Sequence, residues 1–285
     1  MVTRPEMKQL GSALLNILVF VVLWFVLDWI VSRLTFFVFG EWHYPWMPFL
    51  LRGKAGSLVA CAGAYAIVTR LKRPSYLKSL PLNFGYLVVG ALIGIGIQAF
   101  VFWLGVQTGF LHVTGVLGGF PFLEYAALAI LVAISEELAH RQFILVKLEA
   151  VLGSGWALSI SSIIFALFHV NYGLTLLSPG SHQIGLMVVL LKAFIGGVVM
   201  GSAYLATRRL GLSIGVHAGW DFAVSYLYGL GWVGGAITYW QPVKMSVPWF
   251  AIWYVIFFVV SAAFCAYSKR HKNWRTAQPL MDGRC

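Results

Sequence analysis

Acidic side chains are scarce in this sequence: 285 residues hold 9 Asp and Glu against 20 Lys and Arg, and charged residues make up only 10%. Soluble domains carry about 25% charged residues, so an ordinary cytosolic globule is excluded, and so is a disordered chain. Cysteine is nearly missing. Cys61, Cys265 and Cys285 show no paired spacing, so neither a disulfide framework nor a Cys-based metal site is indicated. No internal repeat argues for an inverted-repeat transporter, and no His-Glu-x-x-His zinc signature occurs. The first apolar block lacks a small-residue cleavage site and exceeds a signal-peptide core in length, so it reads as an uncleaved span.

What the chain has instead is apolar length. Hydrophobic residues reach 60% and the mean hydropathy is +0.84. A bilayer-crossing helix takes ~20 predominantly apolar residues, and the blocks run Leu14–Ile30, Ala55–Thr69, Tyr86–Val106, Phe122–Val146, Trp156–Val170, Ile184–Ala206, Leu212–Tyr228 and Pro248–Tyr267. Backbone polar groups in lipid must be satisfied internally, and these runs are too long for barrel strands. The expected fold is all-α, a polytopic transmembrane bundle of about eight spans. The 12 Trp suit rings anchored at the membrane–water interfaces. The net charge of +11 fits basic cytoplasmic loops, so the lipid bilayer is the expected partner and nucleic acid is not.

Eight spans can be tested against charge. Arg4, Lys8, Arg70, Lys72, Arg73, Lys78, Lys147, Arg208, Arg209, Lys269, Arg270, Lys272, Arg275 and Arg284 fall on one side. The opposite connections hold only Arg33, Arg52, Lys54 and Lys244. The basic side is cytoplasmic by the positive-inside rule, which puts both termini in the cytoplasm of a multi-pass cell-membrane protein, prokaryotic in character.

Charged groups at bilayer depth cost at least ~2.5 kcal/mol each, so each asks for a reason. Asp28 and Lys192 are isolated and read as structural. His43, His112 and His182 lie in extracytoplasmic connections and read as bland. The rest cluster. Span four carries Ser135-Glu136-Glu137-Leu138-Ala139-His140-Arg141. Glu137 and Arg141 are one helical turn apart, acid before base, whereas Glu136 lies about 100° around the helix. One division of labour pairs Glu137 with Arg141 and leaves Glu136 as a base; the other reads a helix end with ordinary salt bridges. Span five carries Phe165-Ala166-Leu167-Phe168-His169 and span seven carries His217-Ala218-Gly219-Trp220-Asp221. His217 and Asp221 share a helical face. Measured from the cytoplasmic ends, Glu136, His169 and Asp221 lie ~16, ~20 and ~14 Å deep, so three helices bring acid or imidazole to comparable depth. Glu137-Leu138-Ala139-His140 has the Glu-x-x-His spacing of di-iron bundles, but no second copy occurs.

These three motifs, in this order, resemble the CPBP family of intramembrane proteases, which includes type II CAAX prenyl endopeptidases and bacteriocin-processing or immunity proteins. The family pattern is Glu-Glu-x-x-x-Arg, then Phe-x-x-x-His, then His-x-x-x-Asn/Asp, and the run Gly211–Trp220 is also family-like. The resemblance covers roughly residues 120–230, so the chain divides into N-terminal spans (1–120), a catalytic core (121–230), and a last span with a basic tail (231–285). It implies an intramembrane endopeptidase acting on membrane-embedded or lipidated peptides. Glu136 would activate water with help from His169, His217 and Asp221 would stabilise the oxyanion or position substrate, and Glu137 and Arg141 would support the catalytic helix.

Asp221 departs from the donor that an Asn would supply, since an ionised carboxylate accepts only. It could instead hold His217 protonated, or join His169, His217 and Glu136 as a zinc shell. The favoured expectation needs no cofactor, with zinc the alternative. A non-catalytic protein of the same fold acting in immunity or partner stabilisation, and a proton-coupled transporter using Glu136, Glu137 and Asp221, are the competing functions.

Overall fold

The computed structural model describes residues 4–39, 56–70, 83–116, 122–170, 182–228, 237–240 and 247–270. His43, the basic loop residues Lys72, Arg73 and Lys78, and the tail from 271 on lie outside them. Apolar sequence becomes helix wherever it is described. The elements are α1 (Arg4–Phe39), α2 (Gly56–Arg70), α3 (Phe84–Gln107), α4 (Phe122–Glu137), a π-helical stretch (Leu138–Leu145), α5 (Val146–Phe168), α6 (His182–Thr207), α7 (Leu210–Tyr228) and α8 (Val247–Arg270). The protein is a polytopic helical membrane protein. Among the described residues the runs Met7–Leu34, Phe84–Gln107, Phe122–Phe168 and Val189–Thr207 are long and apolar enough to cross a bilayer. Gly56–Thr69 and Val255–Tyr267 are apolar but shorter.

The bundle is all-helical as expected, and the described connections add one short ribbon. His112–Val116 (β1) pairs antiparallel with Ile237–Trp240 (β2), with a register irregularity between Val113 and Gly115. Isolated short strands in connecting segments give no periodic signal strong enough to compete with the flanking apolar runs. The ribbon joins the connection leaving α3 to the one leaving α7.

The run Phe122–Phe168 spans 47 residues. As one straight rod it would measure ~70 Å, over twice the ~30 Å of a hydrocarbon core. It breaks at Gly153, whose φ of 75° and ψ of 165° leave the helical region for one that glycine tolerates without steric cost. The break falls between the two sequence blocks that end at Val146 and begin at Trp156. Beside it, Glu149 accepts a two-pronged contact from Arg208 (Nη2–Oε1 2.6 Å, with Nη1 on Oε2). Arg208 forms the turn between α6 and α7 with a left-handed φ of 56°. The planar guanidinium fork matches a carboxylate in a way lysine cannot, so this pair clasps one turn of the chain to the other.

The core around the site is set by small residues. A Cβ added to Gly94 would stand 2.2 Å from the Val216 carbonyl oxygen. One on Gly90 would stand 2.4 Å from that of Leu212, and one on Gly215 or Gly219 would stand 2.2 Å from the carbonyl oxygens of Leu87 and Ala91. Backbone therefore meets backbone along α3 and α7, the packing by which membrane helices approach closely. The contacts climb together, Asn83 beside Gly211 and Gly94 beside Gly219, so the two helices run in the same direction. On the other flank α1 and α2 cover the polar helix through side chains: Phe20 stacks on Phe143 (4.3 Å between centroids), and Cys61 Sγ donates to the Ser135 carbonyl (3.3 Å). Large apolar side chains such as Leu15, Leu18, Phe25 and Trp29 of α1 point outward, where lipid replaces the protein core as their solvent.

Candidate active site

The polar groups of the site come from α4, the π-helical stretch after it, the C-terminal end of α5, and α7. On α7, Gly211, Gly215 and Gly219 face α3. Two residues along, ~200° around the helix, Ser213, His217 and Asp221 recur at the same spacing and face the other way. The glycines thus fix α7 against α3 by its backbone, and the polar side chains are delivered to α4.

What they meet first is Glu137. Its carboxylate is fully enclosed, at 0% exposure. Oε2 forms an ion pair with Arg141, whose Nε lies 3.1 Å away, and accepts from the Ser213 hydroxyl, and Oε1 lies 2.9 Å from His217 Nδ1. A buried charge is tolerated when paired and hydrogen-bonded on every side. Arg141 is enclosed as well, with Nη2 donating to the Gly197 carbonyl at 3.3 Å and Cζ lying 4.7 Å from the Phe165 ring centroid. The expected Glu137–Arg141 pair is thus present, together with two donors from α7 that join the helices across it.

The other nitrogen of His217 faces the remaining carboxylates. Nε2 lies 3.4 Å from Asp221 Oδ2 and 3.8 Å from Glu136 Oε2. Unlike Glu137, these two acids are not fully enclosed: Glu136 is 17% exposed, with its Oε2 covered, and Asp221 is 34% exposed. The structure therefore sorts the adjacent glutamates by environment, one locked inside and one at the edge of the polar face.

His169 ends α5 with non-helical φ of −92° and ψ of 1°. Its Nδ1 donates to the Phe165 carbonyl at 2.8 Å, which fixes the tautomer and leaves Nε2 with its lone pair. His169 meets the cluster by way of the Phe165 ring, whose centroid lies 4.7 Å from its own and 6.0 Å from that of His217. His140 turns aside. Its Nδ1 bonds the Glu136 carbonyl (2.8 Å), and its ring lies edge-on to Phe165, Phe168 and Trp24.

Leu138–Leu145, which carries His140 and Arg141, is π-helical, a wide turn frequent at functional sites. Ordinary i,i+4 spacing does not announce it. Ser213 was also missed, although its place one turn before His217 in the 213, 217, 221 series was legible. Phe165 likewise matters beyond its place in a motif, because its ring touches His140, Arg141, His169 and His217.

Among the described residues, no three His, Cys, Asp or Glu side chains stand together as a metal shell. With Nδ1 engaged by Glu137, His217 has only Nε2 left to offer a metal. No curated protein and no solved structure matches the chain. Residues 118–223 match the family model described as Type II CAAX prenyl endopeptidase Rce1-like, which establishes the family resemblance for the stretch that holds Glu136, His169, His217 and Asp221.

Proposed function

We propose that this protein is an intramembrane endopeptidase that hydrolyses a peptide bond of a membrane-embedded or lipidated substrate, using Glu136 as the base. The observation that carries the reading is the sorting of the two glutamates about one imidazole: Glu137 tied off on Nδ1 of His217, Glu136 and Asp221 at Nε2. Glu136, assisted by His169, takes a proton from water as the oxygen attacks the scissile carbonyl. It then returns that proton to the leaving amine. The His217 Nε2–H is aimed where the oxyanion develops, and Asp221 holds that proton in place rather than donating one. Arg141 pairs with Glu137 and holds it in place. A zinc-bound water is the competing way to the same product, and Glu136, His169, His217 and Asp221 would be its candidate ligands.

For the topology we propose eight spans with cytoplasmic termini. The parallel run of α3 and α7 supports this, because two helices that begin on the same face must be separated by an odd number of crossings. The run Phe122–Phe168 must then cross twice, folding at Gly153, and α6 once, so that α3 and α7 both rise from the basic face. For the location we propose the cell membrane, with the basic face toward the cytoplasm.

The deciding experiment incubates purified protein with membrane-peptide and prenylated-peptide libraries, with and without chelator, beside Glu136→Gln. Cleavage by the wild type, insensitive to chelator and abolished in Glu136→Gln at unchanged fold, is the expected result. Equal cleavage by the variant refutes the role of Glu136. A chelator-sensitive activity restored by zinc replaces it with the metal reading. No cleavage of any library member, with an unchanged cellular phenotype in the variant, favours the non-catalytic immunity or stabilising role.

A further inference from the structure

We propose that Ser213 is a positioning residue for the reaction: together with Glu137 it holds His217 so that Nε2, and not Nδ1, faces Glu136 and Asp221. The functional part of this rests on the endopeptidase reading; the geometric part stands without it. Ser213 is completely buried, and its hydroxyl donates to Glu137 Oε2, the oxygen that Arg141 Nε also approaches at 3.1 Å. His217, one turn later on the same helix, approaches Oε1 at 2.9 Å. An ionised carboxylate accepts only, so Nδ1 must carry the proton in that contact. The two donors of α7 therefore take opposite oxygens of one carboxylate and set the plane in which it lies. The backbone contacts of Gly215 and Gly219 with α3 keep that helix from adjusting.

Without the Ser213 hydroxyl, Oε2 is held by Arg141 alone, from its own helix. The carboxylate can then pivot about its terminal bond toward the guanidinium, and Oε1 leaves Nδ1. His217 loses the contact that fixes its tautomer and ring angle. For metal-ligating histidines, removing the partner that fixes the tautomer typically costs on the order of 10- to 100-fold in activity, and a loss of that order is expected here. Asp221 cannot supply the missing restraint, because it lies on the Nε2 side.

The test uses full-length protein in lipid nanodiscs. Isotope-labelled histidine NMR of the wild type should show a proton on Nδ1 of His217. A signal from an unprotonated Nδ1 overturns the proposal whether or not any substrate is ever cleaved. In Ser213→Ala, kcat normalised to folded protein should fall on the order of 10-fold or more with little change in KM, the pH profile should move, and the Nδ1 signal should broaden or shift. Ser213→Thr, which keeps the hydroxyl, should restore kcat and the wild-type profile. Wild-type kcat and an unmoved Nδ1 signal in Ser213→Ala would reduce Ser213 to a packing residue and sink the idea. An altered tautomer in Ser213→Ala alongside a wild type that cleaves nothing would sustain the geometric assignment and remove the endopeptidase reading instead.

Discussion

Gly94→Ala tests whether the α3–α7 contact holds the site in register from a helix that contributes no group to it. The new methyl would begin 2.2 Å from the Val216 carbonyl oxygen. Ordinary close carbon–oxygen contacts stop at ~3.3 Å, so the two backbones must part by ~1 Å. Neither atom in conflict belongs to a flexible side chain, so nothing local can give way. Overpacking of this kind costs ~2 kcal/mol, and the displaced α7 carries Ser213 and His217 away from Glu137. A misplacement of ~1 Å at reacting groups costs ~100-fold in rate. Gly96→Ala is the control: it lies on the same helix and an added Cβ meets nothing within 4 Å, so helix propensity should leave it neutral or up to ~1 kcal/mol more stable. Thermal unfolding in detergent and turnover in nanodiscs measure both. Matching stability and rate for the two variants would refute the argument that backbone proximity at Gly94 positions the site.

Arg141→Ala should lower stability by ~3–5 kcal/mol, because Glu137 is left enclosed with its strongest partner gone; thermal unfolding checks this, and intact stability with lost turnover would place Arg141 in the reaction itself. Arg208→Lys and Glu149→Gln should each lower stability by about 1 kcal/mol or less, because the pair is partly open to solvent, and the double variant should be no worse than the weaker single one. Reporter fusions after Arg73 and Arg209 should read cytoplasmic and one near Ser178 the opposite side; an external signal after Arg209 overturns the eight-span arrangement. Asp221→Asn should retain turnover if Glu136 alone activates water, whereas a zinc ligand at that position would cost both metal content and rate.

The helical bundle and the grouping of its polar residues were legible because burial in lipid makes each charge conspicuous. Glu137 with Arg141, and His217 with Asp221, follow from one-turn spacing alone, and the structure places both pairs in contact. Sequence spacing within a helix is silent about what stands across from it. That Glu137 also receives Ser213 and His217 depends on how α7 is rotated, which the glycines at 211, 215 and 219 decide. Those glycines have a four-residue period and could have been read as a packing face. The π-helical stretch was not legible, because its apolar pattern at Leu138, Phe143 and Leu145 serves a wide turn as well as an ordinary one. The ribbon was hidden for a different reason: Val113 and Tyr239 face each other only once the helices before them run parallel.

That ribbon has a mechanical consequence. It ties α3 to α7 just beyond their far ends, while the glycine contacts fasten them along their length, so the pair forms a stiff double strut. A strut fastened backbone to backbone has no side chain that can turn aside to let its two helices part. The opposite wall is different. There α1 and α2 rest on the polar helix through stacked rings and the Cys61 thiol, side-chain contacts rather than backbone ones. His217 and Asp221 thus stand on the helix fastened by backbone, while the contacts of α1 and α2 with the polar helix are made by side chains.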